Sequence, residues 1–158
     1  MISVGMKIVY RGDVYIFEDI ELKDDVEYYK LKSIAESNLT TRVPVSMANK
    51  HIRELLTREE LDQLIAKIPN IPTLEVDAKN KGAEYREKLS TGTHEDIISV
   101  IKTIHLRQVD QATKKKRVSE TDRVYMRQAE HLFYNEVAYI IDKNLITAKE
   151  YVTKTIEE

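Results

Sequence analysis

Four histidines, His51, His94, His105 and His131, are the residues best suited to hold a metal or shuttle a proton, and their spacing serves neither use. No two stand four apart, as one face of a helix would need, and His94-Glu95 continues as Asp96-Ile97-Ile98, which breaks the zinc-peptidase pattern. Cysteine is absent, so thiolate ligands, a thiol nucleophile and disulfides are excluded. Paired carboxylates are the other source of acid–base chemistry. Here Glu59-Glu60 is accounted for by a helix start and Asp24-Asp25 by a turn, and neither pair has a neighbour that would bury it and move its pKa. The glycines, Gly5, Gly12, Gly82 and Gly92, are scattered, and none clusters with Lys and Ser/Thr to cradle a phosphate. With no nucleophile beside a base, the expectation is a protein without catalytic residues, metal or cofactor.

Charge offers more. The 158-residue chain has a net charge of −2, unevenly spread. Residues 79–127 hold 12 Lys/Arg against 7 Asp/Glu, while 54–78 hold 2 against 6 and 128–158 hold 3 against 6. The densest part is Lys114-Lys115-Lys116-Arg117. Such a block can meet a phosphate backbone or simply be a solvated helix face, and composition alone leaves both open. A second binding feature lies in Thr41-Arg42-Val43-Pro44-Val45. Alternation puts Val43 and Val45 on one face and Arg42 and Pro44 on the other, and Pro44 cannot donate to a neighbouring strand, so the segment reads as an edge strand. It is open to strand addition by a partner, or blunted by Pro44 against aggregation.

The elements that must position these residues are α+β in order. Length allows one compact domain or two small ones, and with 42% hydrophobic and 33% charged residues there is material for a core. Residues 1–53 read as short strands: Met6–Tyr10, Val14–Phe17, Val26–Ile34 and Leu39–Val45, separated by Arg11-Gly12-Asp13, Lys23-Asp24-Asp25 and Glu36-Ser37-Asn38. Four strands in so short a span predict a small antiparallel barrel of SH3-like or Tudor-like form. Residues 54–158 read as about five helices. Thr57 and Glu60 form a capping box ahead of Leu61, Leu64, Ile65 and Ile68, and Pro69 and Pro72 end that helix. A more polar helix is expected over Glu75 to Ser90. Thr93 opens a third, with Ile97, Val100, Ile101 and Ile104, which gives out at the basic tract. Ser119 with Asp122 opens a fourth, with Met126, Ala129, Phe133, Val137 and Ile140, and Thr147 with Glu150 a short fifth. No apolar run approaches a membrane span and no leader is evident at Met1–Lys7, so a cytoplasmic protein is expected.

Taken together, these residues resemble the CarD/CdnL family of bacterial transcription regulators, whose N-terminal module also occurs in the transcription-repair coupling factor. The resemblance rests on Val4-Gly5-Met6-Lys7-Ile8-Val9-Tyr10, Glu27-Tyr28-Tyr29-Lys30-Leu31, Leu39-Thr40-Thr41-Arg42-Val43-Pro44-Val45 and Ala48-Asn49 followed by Ile52-Arg53. It continues in Glu87-Lys88-Leu89-Ser90-Thr91-Gly92, Ile98-Ser99-Val100-Ile101-Lys102 and Arg127-Gln128-Ala129-Glu130-His131-Leu132. It implies a Tudor-like RNA-polymerase-interaction domain over 1–53, a helical DNA-binding domain over 54–158, no enzymatic activity and a nucleoid-associated location. The polymerase β subunit would be bound by strand addition, with Lys23, Arg42, Val43 and Pro44 at the contact. Promoter DNA would be touched without base specificity by Lys79, Lys81, Arg86, Lys88, Lys114, Lys115, Lys116 and Arg117. Two departures stand out. Where the family commonly has a Trp wedge this chain has Ala78, too small to fill an opened base step, and Arg11-Gly12-Asp13-Val14 replaces a P-x-H-G-like turn. The alternative reading is a polymerase-binding adaptor whose helical domain recruits another protein.

Overall fold

The structure is a computed structural model, which describes residues 3–36 and 38–157. Its first third is an antiparallel sheet built by two tight hairpins. Strand β1 (Lys7–Tyr10) turns through Arg11 and Gly12 into β2 (Asp13–Lys23), and β2 turns through Asp24 and Asp25 into β3 (Val26–Ser33). All four loop residues have positive φ, from 51° to 84°, the two-residue turn whose twist matches that of the flanking strands. Gly and Asp accept this conformation most readily; Arg11 takes it under the constraint of its neighbour. Of the third turn, Ser37 lies outside the described residues. Strand β4 (Thr40–Pro44) pairs with β3, helix α1 (Val45–His51) follows, and β5 (Ile52–Glu54) returns to pair with β1. The spatial order is β4-β3-β2-β1-β5, and among the described residues no ladder joins β4 to β5.

Several expectations need correcting here. Strand β2 does not stop at Phe17 but runs to Lys23, because a bulge between Phe17 and Asp19 inserts Glu18 as an unpaired residue and resets the alternation. Beyond it Asp19 and Glu21 face solvent, which simple alternation from Phe17 would not allow. Val45 belongs to α1, and neither α1 nor β5 has a legible period, being 7 and 3 residues long. The sheet and α1 enclose Ile8, Tyr15, Phe17, Leu31, Val43, Ala48 and Ile52.

A second cluster of buried side chains lies in the helical part. Helix α2 (Arg58–Lys67) carries the expected capping box, Thr57 Oγ1 accepting from the Glu60 amide at 3.1 Å and Glu60 Oε1 from the Thr57 amide at 3.0 Å. A 3₁₀ turn at Ile68–Asn70, with Pro69 in it, ends the run. Helix α3 (Lys81–Ser90) starts six residues later than expected, since Asp77 bonds the Lys79 amide at 3.2 Å and holds 77–80 in a turn. Helices α4 (His94–Thr113) and α5 (Glu120–Ile141) begin at the expected caps Thr93 and Ser119. Helix α6 (Leu145–Glu157) is longer than foreseen, and its cap is Asn144, whose Oδ1 accepts the Thr147 amide at 2.8 Å; Thr147 is the acceptor's partner, not the cap. Leu61, Ile68, Tyr85, Ile98, Ile104, Ala129, Phe133 and Val137 lie at the centre of this core.

The two parts meet along α5. Gly12, at the tip of the first hairpin, sits so close that a Cβ there would be 3.0 Å from the His131 ring and 3.1 Å from Leu132 Cα. Its carbonyl accepts from Asn135 Nδ2 at 2.8 Å, and Asp13 lies 3.1 Å from His131 Nε2.

Candidate functional site

Strand β4 pairs on one side only, with β3. Its register, Lys30 opposite Arg42 and Tyr28 opposite Pro44, puts Arg42 and Pro44 on the solvent face. Lys23, opposite Val26, shares that face, four residues beyond Asp19 and so about 13 Å along β2. Arg42 is not idle: its Nε donates to Glu21 Oε2 at 2.7 Å, with Lys30 3.7 Å from the same carboxylate. That bond holds the Glu21 carboxyl below its ordinary pKa and raises the Arg42 guanidinium. The structure thus brings Lys23, Arg42 and Pro44 to one face. Val43 turns inward, as the alternation implies: its side chain is 3% exposed in the sheet core, and only its main chain is open to a partner.

The basic residues of the helical part divide. Lys79 is exposed on the turn before α3, and Lys115, Lys116 and Arg117 are exposed on the loop after α4, where Lys115 takes φ 54°. Lys81 Nζ donates to Ser119 Oγ at 2.6 Å, which draws the start of α3, and Lys79 with it, toward the end of the tract. Arg86 donates to the Tyr125 hydroxyl at 3.1 Å and remains exposed. Lys88 lies 3.7 Å from Asp96, and Lys114 3.2 Å from Asp110 one turn earlier on α4. These surface pairs are weak and can be given up to a phosphate. Lys81 is a correction of a different order. Its side chain is 12% exposed and 3.4 Å from buried Asp122, so it belongs to the interior and not to a DNA-facing surface.

Two buried carboxylates escaped the sequence reading. Asp122, in the first turn of α5, accepts from Tyr85 Oη at 3.0 Å and Arg107 Nε at 3.0 Å besides facing Lys81, so one carboxylate ties α3 and α4 to α5. Burial first, and then the Asp122 charge, push the Tyr85 hydroxyl well up. In the sequence Asp122 is indistinguishable from an ordinary acidic residue of a first helical turn, a place it also fills: its amide donates to the cap, Ser119 Oγ, at 3.3 Å.

Glu136, 1% exposed, stands where sheet and helices join. Both its oxygens accept from Arg53, which follows Ile52 in β5, while the Leu56 amide donates at 3.0 Å and His94 Nε2 lies 3.0 Å away. Burial alone would raise this carboxyl, but the bonds to Arg53 and His94 outweigh it and hold its pKa at about 2. A signal for it was present: Glu136 falls among Phe133, Val137 and Ile140, on the apolar stripe of α5, where a carboxylate must find cations. Among the described residues no group of three or more His, Cys, Asp or Glu gathers as a metal site would, and no helix is long and apolar enough to cross a membrane.

The fold is thus α+β, an antiparallel five-stranded sheet with helices following it; its terminal strands β4 and β5 each pair on one side only among the described residues, and lysines are exposed on the turn before α3 and the loop after α4. No family model and no curated protein matches the chain.

Proposed function

We propose that this protein is a non-enzymatic bacterial transcription regulator of the kind it resembles, its sheet a Tudor-like module that adds β4 to a strand of the RNA polymerase β subunit. The observation that carries this reading is β4 itself: a terminal strand, paired on one side, whose solvent face holds Arg42 and Pro44 with Lys23 beyond. Main-chain pairing supplies affinity there, and the cations set register and encounter rate against acidic groups of the polymerase. Promoter DNA is met by Lys79 and Lys114 to Arg117 through phosphate contacts, which raise the population of the open complex without reading bases. The test is capture of a β-subunit fragment. Arg42→Glu, an exposed change that leaves the fold intact, abolishes capture, whereas Glu21→Gln, which releases Arg42 from its ion pair, strengthens it. Equal capture by wild type and Arg42→Glu refutes the assignment.

A second reading, the adaptor whose helical part recruits a protein, is favoured by one observation. Lys81, Lys88 and Lys114 are already engaged by carboxylates, and Ala78 on its exposed turn offers no wedge. Charge reversal at Lys79 and Lys116 separates the two: the DNA reading predicts lost transcriptional effect with polymerase binding intact, and the adaptor reading predicts no loss.

A further inference from the structure

Between the second half of α4, the middle of α5 and the start of α6 lies a cavity of ≈ 570 Å³, within the range of about 300–1,000 Å³ found for small-molecule sites. One side of it is apolar. Because Asn144 caps α6, Leu145 and Ile146 fall in the first turn of that helix, where both line the cavity, and Ile146 is left 72% exposed; Met126 of α5 adds a third apolar side chain to the lining. The other side is cationic. Arg123 and Arg127 stand one turn apart on α5, the first only 3.8 Å from the exposed Glu120 and the second paired with no carboxylate among the described residues. Lys149 differs, being held 3.3 Å from Glu130, which also lines the cavity.

A buried tyrosine, Tyr134, stands beside these residues. It lines the same cavity, is 3% exposed, and its hydroxyl is buried with no hydrogen-bond partner among the described residues. A buried donor without an acceptor is costly to keep, and burial holds this hydroxyl protonated. That oxygen is closed to water, so a ligand in the cavity meets other parts of Tyr134 and not its hydroxyl.

We propose that this cavity binds a small amphiphilic anion, its apolar body on Met126, Leu145 and Ile146 and its acidic head at Arg123 and Arg127. The combination of one guanidinium free of carboxylates among the described residues, a second paired only with the exposed Glu120, and an apolar wall fits a carboxylate or sulfonate on a hydrophobic body. A neutral apolar ligand would leave both arginines unused, and an inorganic anion would leave the apolar wall bare. His131, also in the lining, is the side chain that reaches Asp13 of the first hairpin, so the site adjoins the contact between sheet and helices.

The probes are 8-anilinonaphthalene-1-sulfonate, read by fluorescence with the folded full chain, and decanoate as competitor, with decanol as the neutral control. The expected result is saturable one-site binding of the dye, displaced by decanoate and not by decanol. Arg127→Glu and Ile146→Glu each weaken binding about tenfold or more, as loss of a charge-assisted contact or of the apolar wall would. Circular dichroism and melting curves equal to wild type show that these exposed changes leave the fold in place. No saturable binding, binding indifferent to both changes, or equal displacement by decanol overturns the proposal.

Discussion

Replacing Glu136 by Gln keeps the side chain's shape and removes only its charge, at the point where β5, α4 and α5 share one carboxylate. The magnitude follows from the depressed pKa. Moving from the ordinary 4.5 to about 2, at about 1.4 kcal/mol per pH unit, corresponds to about 3 kcal/mol of stability supplied by the ionised form. With the folded pKa depressed, this contribution is complete above about pH 4.5, where the unfolded chain also ionises, and is lost as pH falls through about 2. The two proteins compared by urea unfolding at fixed ionic strength should therefore differ by about 3 kcal/mol at pH 7, and by roughly half that at pH 3. Gln also turns an N–H₂ toward donors, which adds to the cost at every pH but not to its pH dependence. A gap below about 1 kcal/mol at pH 7, or one that is the same at pH 3 and pH 7, would refute the view that charge at Glu136 holds the junction.

Gly12→Ala should destabilise by about 2 kcal/mol or more, lowering Tm by about 4–8 °C, because φ 84° disfavours a Cβ and the Leu132 backbone lies 3.1 Å from where it would stand. Gly92→Ala, at φ 72° with nothing within 4 Å, should show only the smaller backbone part, and equal losses in thermal melts would count against the close approach. Asp122→Asn leaves Lys81 and Arg107 facing a neutral group in the interior and should cost about 3–5 kcal/mol in denaturant unfolding; a loss under about 1 kcal/mol would mean that Lys81 is a surface cation after all, available to DNA.

The helix caps and turn residues were legible because they act over three or four residues: Thr57 and Ser119 accept the amides that their spacing predicted, Thr93 caps the helix it was expected to open, and Gly12, Asp24 and Asp25 turn as their tolerance of positive φ allows. Arg42 pointing away from Val43 followed likewise from a period of two. Asn144 was missed for Thr147 because both present a helix-starting oxygen at compatible spacing, and only the helix actually formed shows which amide is accepted. The bulge at Glu18 escaped because alternation carries no sign of an unpaired residue until a partner strand sets the register.

What the sequence by itself determined, then, was the α+β order, the starts of α2, α4 and α5, the basic tract and the exposed edge residue, all properties of neighbours along the chain. Tertiary structure alone decided which charges are spent and which are free. Lys79 and Lys81 are two residues apart and alike in composition, yet one lies on an exposed turn and the other is drawn under Ser119 to Asp122, 41 positions further on. The meeting of Arg53, His94 and Glu136 is of the same kind. A buried carboxylate draws its cations from wherever the packed helices and strands bring them, since desolvation makes any unpaired alternative too costly, and that demand carries no fixed spacing in sequence.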